Sequence, residues 1–125
     1  KGDHIAKGDL IGLEVNMRTP GGHMIDMINY AFDFDAYSLW AHVVLNKKIP
    51  TIGERKYFTA YASRKNHYKY IRSDQEVRNL LGDALCLEES VEESLSRVMG
   101  NKIFLFRSKD LGEISEMQKI VQEKQ

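Results

Sequence analysis

Cysteine is nearly absent: Cys86 stands alone in 125 residues. A lone thiol forms no internal disulfide and supplies no Cys-rich zinc cluster, which excludes a disulfide scaffold and a zinc finger. Charge of one sign is missing as well. Eighteen basic and eighteen acidic side chains give a formal net charge of zero, so nothing singles out nucleic acid or an acidic membrane as partner. No apolar run reaches the ~20 residues of a membrane-spanning helix. There is no repeat, low-complexity tract or linker-like stretch. What is present is a hydrophobic share of 42%, enough for a core and too much for a disordered chain. The length suits one domain or one compact piece of a larger enzyme. Lys1-Gly2-Asp3-His4 carries no signal-peptide pattern, so the expected location is cytoplasmic. Without an opening methionine, the chain reads as cut from something longer.

Apolar spacing predicts an α+β fold. Leu10 to Arg18 alternates with period two and reads as a strand, ended by Thr19-Pro20-Gly21-Gly22. Met24, Ile25, Met27, Ile28, Ala31 and Phe32 have helical spacing. A second helix, capped by Asp33 or Asp35, carries Leu39, Trp40, Val43 and Val44 and ends near Asn46. Composition shifts in the loop from Ile49 to Glu54. Beyond it, Arg55 to Arg64 reads as a strand and His67 to Ile71 as its hairpin partner across Lys65-Asn66. Ser73 and Glu76 have capping-box spacing before a helix from Asp74 to Leu81 that stops at Gly82. A short strand from Ala84 to Glu88, a helix from Val91 to Met99 and a strand from Lys102 to Arg107 follow. A last helix, opened by Asp110, places Leu111, Ile114, Met117, Ile120 and Val121 on one face.

The chemistry concentrates in Gly12-Leu13-Glu14-Val15-Asn16-Met17-Arg18-Thr19-Pro20-Gly21-Gly22. Strand alternation puts Glu14, Asn16 and Arg18 on one face. Glu and Asn are depleted in strands, and a pleated surface does not call for them. As a site, the row has a rationale. Glu14 offers a carboxylate and Asn16 a carbonyl oxygen, both hard ligands suited to magnesium. Arg18 offers a planar fork of donors for phosphate or carboxylate. Gly21-Gly22 lets backbone approach a ligand, and the following helix start favours anions. The plain alternative is a polar outer strand face.

Glu14-x-Asn16-x-Arg18, with its Gly-containing turn and helix, resembles the metal-binding strand of the ATP-grasp superfamily. The similar branch contains biotin carboxylase, carbamoyl-phosphate synthetase and the ATP-grasp amino-acid ligases. The resemblance implies that Glu14 and Asn16 are magnesium (or manganese) ligands bridging ATP phosphates. It implies that Arg18 steadies the transferred phosphate or an acyl phosphate, and that His23 lies near the phosphate site. On this reading residues 1–50 end an ATP-grasp core and 51–125 form a small C-terminal α+β lobe of mostly antiparallel strands packed with helices. The glycine-rich phosphate loop, the adenine-contacting linker and an upstream acidic ligand are not in this stretch. The expectation is therefore a C-terminal fragment of a ligase that joins a carboxylate or bicarbonate to an amine, inactive by itself. Self-association through an exposed apolar patch is expected. The competing reading is a non-catalytic interaction module that keeps a degenerate motif.

Other residues read more plainly. His42 sits on a mostly apolar helix as a boundary residue. Asp26 and Asn29 share a helical face with His23, as a polar face or a pocket border. Cys86, between Leu85 and Leu87, reads as a buried structural thiol. Tyr57, Phe58, Tyr61, Tyr68 and Tyr70 alternate with basic residues. Pairing across a hairpin accounts for them more simply than single-stranded nucleic acid does. Met17, Met24, Met27, Met99 and Met117 occupy apolar positions and read as core.

Overall fold

The structure, a computed structural model, describes residues 18–46 and 51–125. The predicted strand from Leu10, with Glu14 and Asn16, lies outside these residues. The described part is α+β: three antiparallel strands in the order β1-β3-β2 and five α-helices.

Helix α1 spans Met24–Phe32 and α2 spans Ala36–Asn46. Between them Asp33 takes a left-handed φ of 53°. Of the two candidate caps for α2, Asp35 fills the role, its carboxylate accepting from the backbone N–H of Tyr37 and Ser38. Asn29 assists, its side-chain oxygen accepting from the Ala36 N–H at 2.7 Å. Asn29 therefore holds the α1–α2 corner.

Strand β1 (Phe58–Arg64) starts three residues later than the aromatic pattern suggests. Its partner is not the His67–Ile71 segment. That segment forms one isolated bridge, Tyr70 to Lys124, while β1 pairs with β3 (Lys102–Ser108) from Phe58↔Ser108 to Arg64↔Lys102. The Tyr57–Tyr70 aromatics are therefore not cross-strand pairs. Tyr57 lies under the Arg107 guanidinium at 4.2 Å, Tyr70 under Arg64 at 4.6 Å, and Tyr68 under the Lys124 ammonium at 3.7 Å. Each is a cation–π contact in place of the predicted ring pairing.

β3 is the central strand, and Ile103, Phe104, Leu105 and Phe106 are all fully buried. Such a continuous apolar run marks a strand covered on both faces. On one face Phe104 and Phe106 meet Ala60 and Ala62 of β1, Val77 and Leu81 of α3 (Asp74–Leu81), and Ile114, Met117 and Val121 of α5 (Leu111–Gln122). On the other lies α1, tied down by Thr59 Oγ1 donating to the Met27 carbonyl. The backbone N–H groups of Lys56 and Tyr57 both donate to the Ala31 carbonyl. The third strand, β2 (Leu85–Ser90), pairs with β3 across a bulge at Leu85/Leu87.

Local signals set the helix ends. Ser73 and Glu76 form the full capping box of α3. Asp110 accepts from the N–H of Gly112 and Glu113 at the start of α5. Helix α4 (Glu93–Met99) stops at Gly100, whose φ of 88° suits only glycine. A Cβ there would lie 2.8 Å from Ser63 Cβ. Met117 is core, but Met24 is 52% exposed. Among the described residues no helix is long and apolar enough to cross a membrane.

Candidate functional site

Of the four residues proposed to hold phosphate and metal, Glu14 and Asn16 lie outside the described residues. Arg18 and His23 are described, on the approach to α1. Arg18 is exposed, and among the described residues its guanidinium makes one long contact, to the Thr19 carbonyl at 3.4 Å. Arg18, Thr19 and Pro20 rim an apolar groove of about 360 Å³ between α1 and α2, walled by Ile25, Ile28, Leu39 and Trp40.

Gly22 turns the chain into α1 with a left-handed φ of 62°. The turn delivers His23 to the N-cap position. Its Nδ1 lies 3.0 Å from Asp26 Oδ2, and Tyr37 Oη donates to Asp26 Oδ1 at 3.1 Å. His23 also stacks on Tyr61, with ring centroids 6.3 Å apart. The imidazole is thus held on two sides, by a carboxylate and by a strand aromatic. His23 and Asp26 do come together, as the helical spacing suggests, while His23 is not among the residues lining the Arg18 groove. The structure places these two candidates near one helix start.

His42 lines a neighbouring hollow of about 410 Å³ with Phe34 and Thr51. Cys86 is half-buried, not fully buried. Burial pushes its thiol above the usual range, against the opposing pull of Arg107. The thiolate is therefore disfavoured, as a structural role requires. Among the described residues no three His, Cys, Asp or Glu side chains gather in a way that could hold a metal ion.

A second polar constellation escapes the motif reading. Arg64, at the end of β1, is only 6% exposed. Its Nε donates to the Val121 carbonyl at 2.7 Å, and one terminal nitrogen donates to the Arg72 carbonyl and to Asp74 Oδ1, each at 2.8 Å. Asp74 Oδ2 accepts from Lys102 Nζ at 2.6 Å, Lys102 reaches Glu88 at 3.1 Å, and Glu88 accepts two bonds from Arg78. The chain of five alternating charges joins β1, α3, β3 and β2. Burial raises the Asp74 carboxyl, but the hydrogen bonds and charges of Lys102 and Arg64 outweigh it and hold the group below its ordinary range. Glu88 is likewise raised by burial and drawn down further by Arg78 and Lys102. One signal for Arg64 was present in the sequence. It shares the strand phase of Ala60 and Ala62, so it belongs to the inward face.

Compared with family models, with curated proteins and with solved structures, the chain finds no match.

Proposed function

We propose that this chain is the C-terminal part of an ATP-grasp ligase, which phosphorylates a carboxylate or bicarbonate and passes the acyl group to a nitrogen nucleophile. The observation that carries the reading is Glu14-x-Asn16-x-Arg18 running directly into a glycine turn and helix α1. The exposed guanidinium of Arg18 supports it. Glu14 and Asn16 would hold a magnesium or manganese ion, and Arg18 would bind phosphate oxygens. The metal, when bound with ATP, supplies charge neutralisation for the transferred phosphoryl group. Arg18 orients the anion and offsets its charge with paired donors. His23, fixed by Asp26, borders the anion. Residues 1–50 then close the ATP-grasp core and 51–125 form its C-terminal lobe. The reading places the enzyme in the cytoplasm, with small carboxylates and amines as partners.

The test uses the full-length protein of which this chain is part, incubated with ATP, magnesium, candidate carboxylates (bicarbonate and amino acids included) and amines. Release of ADP that needs both carboxylate and amine is expected. Glu14→Gln and Arg18→Ala each lower turnover by ~10²–10³, the usual effect of removing a key charge stabiliser. Wild-type turnover in either variant overturns the role assignment. A native protein of this chain's own mass, 14.4 kDa, overturns the fragment reading.

A further inference from the structure

Helix α2 carries no Asp, Glu, Lys or Arg, and its apolar residues run right round it. A helix of that kind is ordinarily buried. Among its described side chains only Ala36 is buried, and Trp40 is 38% exposed. One stripe of it has a partner wall. Ala36, Leu39, Trp40 and Val43 recur at helical spacing and face Ile25 and Ile28 of α1 across the apolar groove. Apolar surface gathered in this way marks a place where something docks.

The chain itself arrives at this groove. Arg18, Thr19 and Pro20 form its rim, so the residues just before them start within reach of it. Their sequence has the matching pattern. Leu13, Val15 and Met17 alternate with Glu14 and Asn16, which puts three apolar side chains on one face of an extended strand. From Leu13 to Met17 such a strand covers ~13 Å, at about 3.3 Å per residue. From Ala36 to Val43 the helix covers about 10 Å, at about 1.5 Å per residue. The apolar row is thus long enough to cover the stripe. A segment tethered at the rim has an effective concentration on the order of millimolar. A second copy of the chain would forfeit translational and rotational freedom to reach the same place. The tether therefore favours residues 13–17 as occupant.

We propose that residues 13–17 close the α1–α2 groove, with Leu13, Val15 and Met17 seated on Ile28, Leu39 and Trp40 and with Glu14 and Asn16 turned away from the helices. The groove then fixes the phase of the strand. A slip of one residue would bury Glu14 and Asn16 and expose the apolar row, so the apolar walls decide which row is offered to a ligand. The inference rests on the alternating pattern of residues 10–18 and stands apart from the metal and ATP chemistry proposed for Glu14 and Asn16.

The test is acrylamide quenching of Trp40, the single tryptophan of the chain, with nuclear Overhauser contacts to its indole ring recorded on the same 125-residue protein. No nucleotide or metal is added, so the outcome is independent of the turnover assay. Contacts from the Leu13 or Val15 methyls to the Trp40 ring or the Ile28 methyls are expected. Val15→Asp is expected to abolish these contacts and to raise the quenching of Trp40. Glu14→Gln, on the opposite row, leaves quenching as in the parent chain. Removal of residues 1–17 raises quenching as Val15→Asp does, while the amide resonances of β3 stay in place and show that the sheet is intact. Equal quenching in the parent chain, the Val15→Asp variant and the shortened chain overturns the proposal. Indole contacts from Glu14 or Asn16 overturn it too. So does protection of Trp40 that grows with protein concentration, which assigns the groove to a second copy.

Discussion

Replacing Asp74 with alanine removes one carboxylate from two cations. Arg64 is almost wholly buried and Lys102 partly so, while Asp74 itself is 34% exposed. Removing one member of a fully buried pair costs roughly 3–5 kcal/mol, because the other charge stays buried. Here the cost is reduced. Arg64 keeps the carbonyls of Val121 and Arg72, Lys102 keeps Glu88, and solvent reaches the Asp74 site. Asp74 also opens α3, where a carboxylate adds about 0.5 kcal/mol against the helix dipole. The expected loss is about 2–3 kcal/mol, near 10 °C in Tm for a chain of this size. Urea unfolding followed by circular dichroism measures it, with Glu116→Ala as the comparison. Glu116 pairs with Lys119 where both side chains are about two-thirds exposed, 67% and 69%, and its loss leaves stability unchanged within error. If Asp74→Ala is as stable as Glu116→Ala, the backbone carbonyls alone satisfy Arg64 and the network reasoning fails.

Three further outcomes follow from the same structure. Gly100→Ala forces a Cβ to within 2.8 Å of Ser63 at a φ of 88°, and is expected to lower stability by ~1–3 kcal/mol in the same urea assay. A neutral result would mean that α4 can end differently. Phe104→Ala empties the centre of the core and is expected to cost ~3–5 kcal/mol. A loss under ~1 kcal/mol in that assay would show that the site collapses around the gap. The charge network also sets a pH window. Asp74 and Glu88 are held low, so their contribution is present above their unfolded values of ~4 and lost as pH falls through the folded ones. Lys102 is raised by its bond to Asp74, so its contribution is complete below ~10.4 and lost at higher pH. Melts from pH 3 to 11 are expected to show a plateau between about 5 and 10. Asp74→Ala flattens the acid limb, and an unchanged acid limb would contradict the assignment.

Local chemistry was legible wherever the cause was local. The Ser73–Glu76 box, the Asp110 cap, the Gly82 and Gly100 stops and the apolar stripe of α5 all act within a few residues of themselves. Pairing was not. Tyr68 and Tyr70 alternate as a strand does and follow a turn by two and four residues, so a hairpin with β1 fits every local rule. β1 instead pairs with a strand some forty residues on, because Ile103 to Phe106 is the run that needs cover on both faces. No window of sequence contains that competition. The same blindness hid the five-charge network, whose members come from four elements. Arg64 was half-visible, since alternation turns it inward with Ala60 and Ala62, but its partners are set by tertiary packing. At the proposed phosphate end, the pattern joined His23 to Asp26 through helical spacing. It carried no sign of Tyr37, which arrives from the next helix.

The central claim is that Glu14 and Asn16 bind the metal of an ATP complex beside Arg18. The most direct measurement is the binding of manganese-ATP to the full-length protein, read by electron paramagnetic resonance of the bound ion. The account predicts a saturable bound-manganese signal that Glu14→Gln weakens at least tenfold and Lys119→Ala leaves unchanged. Equal binding by Glu14→Gln and the parent protein would contradict it.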